Sequence, residues 1–246
     1  MIGTMFNTLL AAAAKVEIPI DGQTGVWIKS GTTIISSAMT MTGVVVLAGQ
    51  SQYIYNSGKA LNTVISSGGI VAASNGGLVS NCSLYSSARL LAYSGATVSG
   101  MHSYQTGAVT FIYPGASAFD VEMTSGQINN SGYASGVIMN GICYVQGNGT
   151  YEHVVQHIGY AYPNGSANDW IKSGGNISMY AGTPRLTNLT QHGGNCHVRI
   201  AGAVVSGVII SGGTLYISSG CTALAVSSAG GAVDVLDGGY IEYVNQ

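Results

Sequence analysis

Short apolar runs alternate with turns of Gly, Ser and Asn along most of this chain. The clearest example is the stretch from Ile209 to Val244, where a Gly-Gly pair, a β-branched run, a second glycine and another apolar run occur twice. The glycines that open this unit recur at a nearly constant step, with two longer gaps. They are Gly31, Gly49, Gly68, Gly107, Gly126, Gly174, Gly193, Gly212 and Gly230. Almost the whole chain is therefore predicted to be one repeat array.

The two longer gaps also fit the period. The step from Gly68 to Gly107 is two periods, with Ser87 in place of the missing glycine. The step from Gly126 to Gly174 is interpreted as two periods plus about ten extra residues. The extra residues are assigned to an insertion at about 141–169.

This repeat predicts an all-β fold, a single-stranded parallel β-helix (β-solenoid) of about ten or eleven coils. Runs this short pair with the same run one coil later, which builds parallel ladders about 4.8 Å apart. Glycine at the corners permits positive φ. One coil is expected to bury Leu215 and Ile217, followed by either Ala223 and Ala225 or Leu224 and Val226, depending on register.

Two segments depart from the array. Residues 1–25 precede the repeat and are predicted to be a short N-terminal cap or anchor, with helix-forming residues from Leu9 to Lys15. Residues 26–246 form the solenoid domain. Within it, the turn signals at 147–149 and 163–165 predict a loop or small hairpin that leaves the rod. Trp27 and Trp170, each in a WIKSG unit, are expected to cover the core where coils begin.

The repeat units resemble the AIDA-type repeats of bacterial autotransporter adhesins. The resemblance rests on VISSGGIVAASNGG, IISGGTLYISSGCTALAVSSAGG and VDVLDGGYIEYV, and it covers about Val26 to Gly141 and Trp170 to Val244. It implies a right-handed solenoid that is displayed on a cell surface, mediates adhesion and can carry glycosylated serines. Unlike that family, this sequence predicts neither a C-terminal barrel nor, with no Lys or Arg before Lys15, a secretory signal, so another export route is expected, such as assembly into a particle.

Composition narrows the possible partners. Only 7% of residues are charged and the net charge is -2, so no basic stripe for nucleic acid is present. The hydrophobic fraction of 46% argues against disorder, and no uninterrupted run of about 20 apolar residues predicts a membrane span. The polar surface must consist of Ser, Thr, Asn, Gln and Gly. Such a surface suits neutral partners.

Catalytic chemistry is weakly supported. Asp120 and Glu122 are two apart on a predicted strand and would share a face, as a pair of hydrolytic carboxylates requires, but no cation lies one coil away. The four cysteines show no CxxC spacing; Cys196 and Cys221 could stack one coil apart or be buried thiols. No enzymatic activity, catalytic residue, cofactor or metal site is predicted.

Tyrosine is the most informative residue type, with fifteen copies against three phenylalanines. Rings that carry a hydroxyl, surrounded by Ser, Thr and Asn, suit sugars or another protein; alternatively, they simply cover the solenoid. Tyr93 and Tyr113 are about one period apart and are predicted to stack. The candidate binding surface joins this pair to the predicted insertion and comprises Tyr93, Tyr113, Tyr144, Tyr151, His153, His157, Tyr160 and Tyr162.

Together these observations predict a structural and adhesive solenoid on the exterior of a cell or virus particle. It is expected to bind a surface glycan or a host-surface protein, with no nucleic-acid partner. A phage fibre, spike or capsid-decoration protein is one alternative, and a polysaccharide lyase or hydrolase is another. Because a terminal coil leaves a strand edge unpaired, a homo-oligomer (a trimer or a stack) or a larger assembly is expected.

Overall fold

The computed structural model describes residues 23–244, which form a β-solenoid of about eleven coils with no helix among them. The predicted fold class is therefore confirmed. The strands in chain order are β1 (Val26–Ser30), β2 (Thr33–Ala38), β3 (Thr40–Thr42), β4 (Val45–Val46), β5 (Gln50–Ile54), β6 (Lys59–Leu61), β7 (Val64–Ile65), β8 (Ile70–Ala73), β9 (Leu78–Ser80), β10 (Ser83–Leu84), β11 (Arg89–Ala92), β12 (Thr97–Ser103) and β13 (Val109–Ile112). They continue as β14 (Ser117–Asn130), β15 (Tyr133–Gly147), β16 (Thr150–Gln156), β17 (Tyr160–Pro163), β18 (Ser166–Lys172), β19 (Asn176–Met179), β20 (Arg185–Gln191), β21 (Asn195–Val198), β22 (Val204–Ile210), β23 (Thr214–Ile217), β24 (Thr222–Ser228), β25 (Ala232–Val235) and β26 (Tyr240–Tyr243).

Each coil contributes to three parallel ladders, which form the three faces of the rod. Face 1 consists of β5, β8, β11, β13, the ends of β14 and β15, β17, β19, β21, β23 and β25. Face 2 consists of β3, β6, β9 and the first segments of β12, β14, β15, β16, β18, β20, β22, β24 and β26. Face 3 consists of β4, β7, β10 and the segments of the same strands that follow.

The core is a stack of aliphatic side chains that point inward from all three faces. In the coil considered above, Leu215, Ile217, Ala223 and Val226 are buried. The sequence offered Ala223 with Ala225 or Leu224 with Val226, and the structure combines one residue from each pair. Ala225 lies between them at a corner with φ +51°, and this left-handed residue shifts the inward–outward alternation by one position.

A left-handed residue marks the corner between faces 2 and 3 in eleven successive coils. These residues have φ between +51° and +69° and are Gly43, Asn62, Asn81, Gly100, Asp120, Gly136, His153, Asp169, Asn188, Gly207 and Ala225. Gly, Asn and Asp adopt this conformation more readily than other residues. The corner between faces 3 and 1 behaves as predicted, because Ser87 has φ +58° at the position where the repeat lacks its glycine.

The structure corrects the predicted insertion at about 141–169. These residues form β15–β18 and pair in parallel with the coils on either side, so they remain within the rod. Successive inward positions on face 1 are Leu90, Thr110, Ile128, Val145, Ala161, Ile177 and Cys196. The steps between them shorten as far as Ile177 and lengthen again at Cys196, so the gap from Gly126 to Gly174 is three short coils. The turn signals at 147–149 and 163–165 are corners between faces 1 and 2.

At the N-terminal end of face 1, the parallel ladder ends in an antiparallel hairpin of β1 and β2. Strand β1 pairs antiparallel with both β2 and β5, with Val26 opposite Ile54. Trp27 lies on the outside of this hairpin, where its indole N–H donates to the Thr24 carbonyl at 2.8 Å. Trp170, by contrast, is wholly buried in the core. The predicted helix from Leu9 to Lys15 lies outside the described residues.

Face 3 buries a short polar column beneath the glycine corners. Gln156, Lys172 and Gln191 occupy the same inward position in three successive coils. The Lys172 ammonium donates to the carbonyls of Gly193 at 2.8 Å and of Gly175 and Asn195 at 3.2 Å. The two amides bond to corner carbonyls in the same way. Burial lowers the pKa of Lys172 to about 8.

Lys172→Gln is expected to raise the free energy of unfolding by roughly 2 kcal/mol at pH 7, because it removes a desolvated ammonium and keeps an amide donor. The pKa of Lys172 is lower in the folded protein than in the unfolded chain, where it is 10.5. The unfolded chain therefore binds more protons between pH 8 and 10.5, and the wild type gains stability relative to the variant as pH rises through this window.

Urea unfolding of both proteins from pH 7 to pH 10 measures this difference. Lys172→Met serves as the control, since it leaves the corner carbonyls without a donor and should be destabilised at every pH. A difference between Lys172→Gln and wild type that stays constant with pH would contradict the prediction.

Candidate binding face

The outer surface of face 1, here called the tyrosine face, brings together most of the aromatic side chains singled out in the sequence. One outward row contains Ile70, Arg89, Val109, Gln127, Tyr144, Tyr160 and Asn176. The adjacent row contains Trp27, Tyr53, Ala72, Leu91, Phe111, Asn129, Gln146 and Tyr162. Ladder pairing at one-coil spacing aligns these side chains along the rod axis.

The N-terminal part of the tyrosine face is a self-packed aromatic cluster. Tyr53, Tyr55 and Phe111 are buried in it, and Tyr93 and Tyr113 pack against it. The rings of Tyr93 and Tyr113 are stacked as predicted, 4.8 Å apart and 3° from parallel. Burial raises the pKa of Tyr93 to about 12, with smaller contributions from Tyr113 and Tyr53. This cluster covers the solenoid more than it offers free ring surface.

The middle of the tyrosine face exposes more of its rings. Tyr144 and Tyr160 are 37% and 38% exposed, and their rings stack with centroids 5.4 Å apart. Tyr162 and Tyr180 meet edge to face at 5.4 Å. The two members of each pair are in contact along the rod because they occupy neighbouring coils. This is the largest set of exposed aromatic rings on the face within residues 23–244.

Three side-chain amides separate the two aromatic groups. Gln127, Asn129 and Gln146 lie between Phe111 on one side and Tyr144 and Tyr162 on the other. The Asn129 Oδ1 accepts from Gln127 Nε2 at 2.9 Å and also from Gln146 Nε2. The sequence reasoning missed this amide cluster. The only indication of it in the sequence is that Asn129 and Gln146 lie one coil apart. This spacing was not recognised because residues 141–169 were interpreted as an insertion.

Three of the eight candidate residues lie away from the tyrosine face. Tyr151 is wholly buried, and its hydroxyl donates to the Gln146 carbonyl at 2.6 Å, so the structure corrects its assignment to a binding surface. Tyr151 packs edge-on against Trp170 in the core. His153 occupies the left-handed corner between faces 2 and 3, 3.2 Å from an Asp169 carboxylate oxygen. His157 lies at the corner between faces 3 and 1, with Nδ1 3.0 Å from the Ser173 hydroxyl.

The carboxylates considered for hydrolysis do not share a strand face. Asp120 is the left-handed corner residue of its coil, whereas Glu122 points outward from face 3. Glu122 accepts from the Asn140 amide at 2.8 Å and lies 3.4 Å from His102 Nδ1. Both acids line an open cavity of about 360 Å³ with His153. The left-handed corner residue explains why counting along the strand gave the wrong face.

The cysteines of this structure are buried free thiols. All four cysteines are buried and unpaired as disulfides, and Cys196 stacks between Ile177 and Leu215, not next to Cys221. Burial raises the pKa of Cys196 and of Cys82 to about 12. Within residues 23–244, no three His, Cys, Asp or Glu side chains are grouped so that they could hold a metal ion. In the same range, no helix has the length and apolar character to cross a membrane.

Comparison with known proteins shows a similar fold. No protein-family model matches the chain, and no curated protein sequence matches it. Among solved structures, it is similar to the hyper-glycosylated TibA fragment 55–350, the product of TibC-catalysed glycosylation. The two chains superpose with a TM-score of 0.64 at 22% identity, over 82% of this chain and 84% of the other. At this identity, the similarity concerns the architecture of the coils.

Proposed function

We propose that this protein is a non-enzymatic adhesive rod, displayed on the outside of a cell or particle, whose tyrosine face binds a surface glycan or protein. The observation that carries the proposal is the group of outward aromatic rings on the tyrosine face, where the exposed rings of Tyr144 and Tyr160 stack and the half-buried ring of Tyr162 meets the exposed ring of Tyr180 edge to face. Flat faces of aromatic rings with nearby amides bind sugar rings and protein surfaces.

The rest of the molecule supports the same function. The core is continuous from Val26 to Val226, so the face has a stiff support along the rod. The low content of charged residues leaves a neutral surface. A displayed location also agrees with the similarity to the TibA fragment, which is hyper-glycosylated.

The proposal is tested by presenting the labelled, purified protein to immobilised glycans and to intact cells, while following the release of reducing ends from polysaccharides. Saturable binding without turnover is expected. Turnover that disappears in Asp120→Asn or Glu122→Gln would instead establish a hydrolase, and the absence of saturable binding to glycans and cells alike would refute adhesion.

A further inference from the structure

A groove on the tyrosine face lies where the coils become shorter. In the longer coil, the corner between faces 3 and 1 carries the turn Thr106-Gly107, whereas the next coil passes this corner within β14 at Ser125–Gly126. The step from Thr110 to Ile128 on the inward ladder is shorter than the one before it, and the step to Val145 is shorter again. The shoulder left by the longer coil borders an open cavity of about 230 Å³.

An aromatic ring forms one wall of this groove. On the ladder, Tyr144 has Tyr160 on one side and Gln127 on the other. Tyr160 stacks on one face of the Tyr144 ring, so the opposite face is directed along the rod toward Gln127, where the groove lies. Val109 and Ile142 add apolar surface. The groove thus offers a ring face and aliphatic contacts, to which the C–H face of a pyranose can pack.

The amide cluster supplies hydrogen-bonding groups at the same place. Gln127 lines the groove, and Asn129 and Gln146 are its neighbours in the cluster. The hydrogen bonds within the cluster use Asn129 Oδ1 and the Nε2 atoms of the two glutamines. The remaining polar atoms, Asn129 Nδ2 and the two glutamine Oε1 atoms, make no hydrogen bond within residues 23–244. They leave one amide donor group and two acceptors oriented on the outer surface, a set that sugar hydroxyls can satisfy.

The residues that line the groove carry no charge. The nearest charged neighbour on the ladder is Arg89, one coil before Val109. An acidic sugar or a phosphate would find no cation within the groove to offset its desolvation. An apolar ring face with neutral amides is instead complementary to an uncharged sugar.

We infer that this groove binds a neutral pyranose unit of a surface glycan, with its C–H face on Tyr144 and its hydroxyls on Gln127, Asn129 and Gln146. The inference rests on the proposed adhesive function and names its ligand class and site. Recognition is by shape and neutral hydrogen bonds, so binding should depend little on salt.

Saturation-transfer NMR and titration with neutral disaccharides test it directly. The probes are lactose, cellobiose and N,N′-diacetylchitobiose, with 3′-sialyllactose as the charged comparison. Tyr144→Ala and Gln127→Ala should each weaken binding of the preferred neutral probe about tenfold. Tyr144→Phe keeps the ring and should bind like the wild type. Tyr240→Ala, which removes an exposed tyrosine from face 2, is the matched control and should change nothing.

The outcomes separate this inference from the proposed function. Preference for 3′-sialyllactose, or neutral binding that survives both alanine variants, overturns the groove assignment and leaves adhesion intact. Failure to bind any saccharide while intact cells are still bound also overturns the inference alone. Failure to bind saccharides and cells overturns both.

Discussion

Gly194→Ala is expected to lower the free energy of unfolding by about 4 kcal/mol, whereas Gly202→Ala should lower it by only about 1 kcal/mol. Both glycines have positive φ, +68° and +86°, so both substitutions carry the same backbone penalty. A Cβ on Gly194 would also collide with the Gly175 carbonyl in the preceding coil and come within 2.7 Å of Lys172 Nζ, while one on Gly202 would meet no atom within 4 Å.

Denaturant unfolding of the two variants and the wild type provides the measurement. The difference between the variants isolates the contact between coils, because the left-handed conformation is common to both. Equal losses would mean that the coils at Gly194 are too far apart for a Cβ to collide with the Gly175 carbonyl. A large loss for Gly202→Ala alone would contradict the assignment of the corners.

Trp170→Ala is expected to cost about 3–5 kcal/mol, because it empties the largest wholly buried side chain in residues 23–244. It also removes the donor to Gln156 Oε1, 3.2 Å away, and leaves that buried acceptor unsatisfied. Trp27→Ala is the natural comparison, since Trp27 occupies the equivalent position of the other WIKSG unit but is only partly buried on the outer surface.

The loss for Trp27→Ala should be less than half of that for Trp170→Ala, as measured by thermal and urea unfolding. Similar losses would show that the two tryptophans are buried alike, as their identical sequence context suggests. In the structure they differ because β1 is antiparallel to β5 at the rim, whereas β18 is parallel to its neighbours inside the rod.

The repeat was sufficient to predict the fold because the same short sequence pattern recurs in almost every coil. A Gly or Ser at each corner and a short aliphatic run between corners leave parallel stacking as the arrangement that buries all the runs. The position of Ser87 shows how far this reasoning extends: a serine at the expected place takes the left-handed conformation that glycine takes in other coils.

The coil length was harder to predict, and this affected the candidate site. Strands β14 and β15 pass through corners without separate turn residues, so their coils are shorter than the coils that precede them. Counted with a fixed period, these short coils appeared as extra sequence and suggested an insertion. Tyr151 was then assigned to the protruding insertion and to the candidate binding surface, although it occupies a core position that alternates with Glu152.

The sequence singled out the tyrosines as candidates, but it did not indicate the amide cluster. Tyr93, Tyr113, Tyr144, Tyr160 and Tyr162 share one face, as their alternation with buried residues allows. Gln127, Asn129 and Gln146 resemble ordinary polar turn residues until the ladder aligns them. The Asx and glycine residues at the corner between faces 2 and 3 recur at coil spacing, and that signal would have corrected both the register and the period.

Binding by two matched triple variants tests the central claim most directly. Tyr144→Ser, Tyr160→Ser and Tyr162→Ser together remove three outward rings from the tyrosine face, and Ile138→Ser, Ile171→Ser and Ile209→Ser together remove exposed aliphatic side chains from face 3. Binding to the cells or glycans that the wild type recognises should fall at least about tenfold for the first variant and remain unchanged for the second. Retained binding by the first variant and loss by the second would contradict the account.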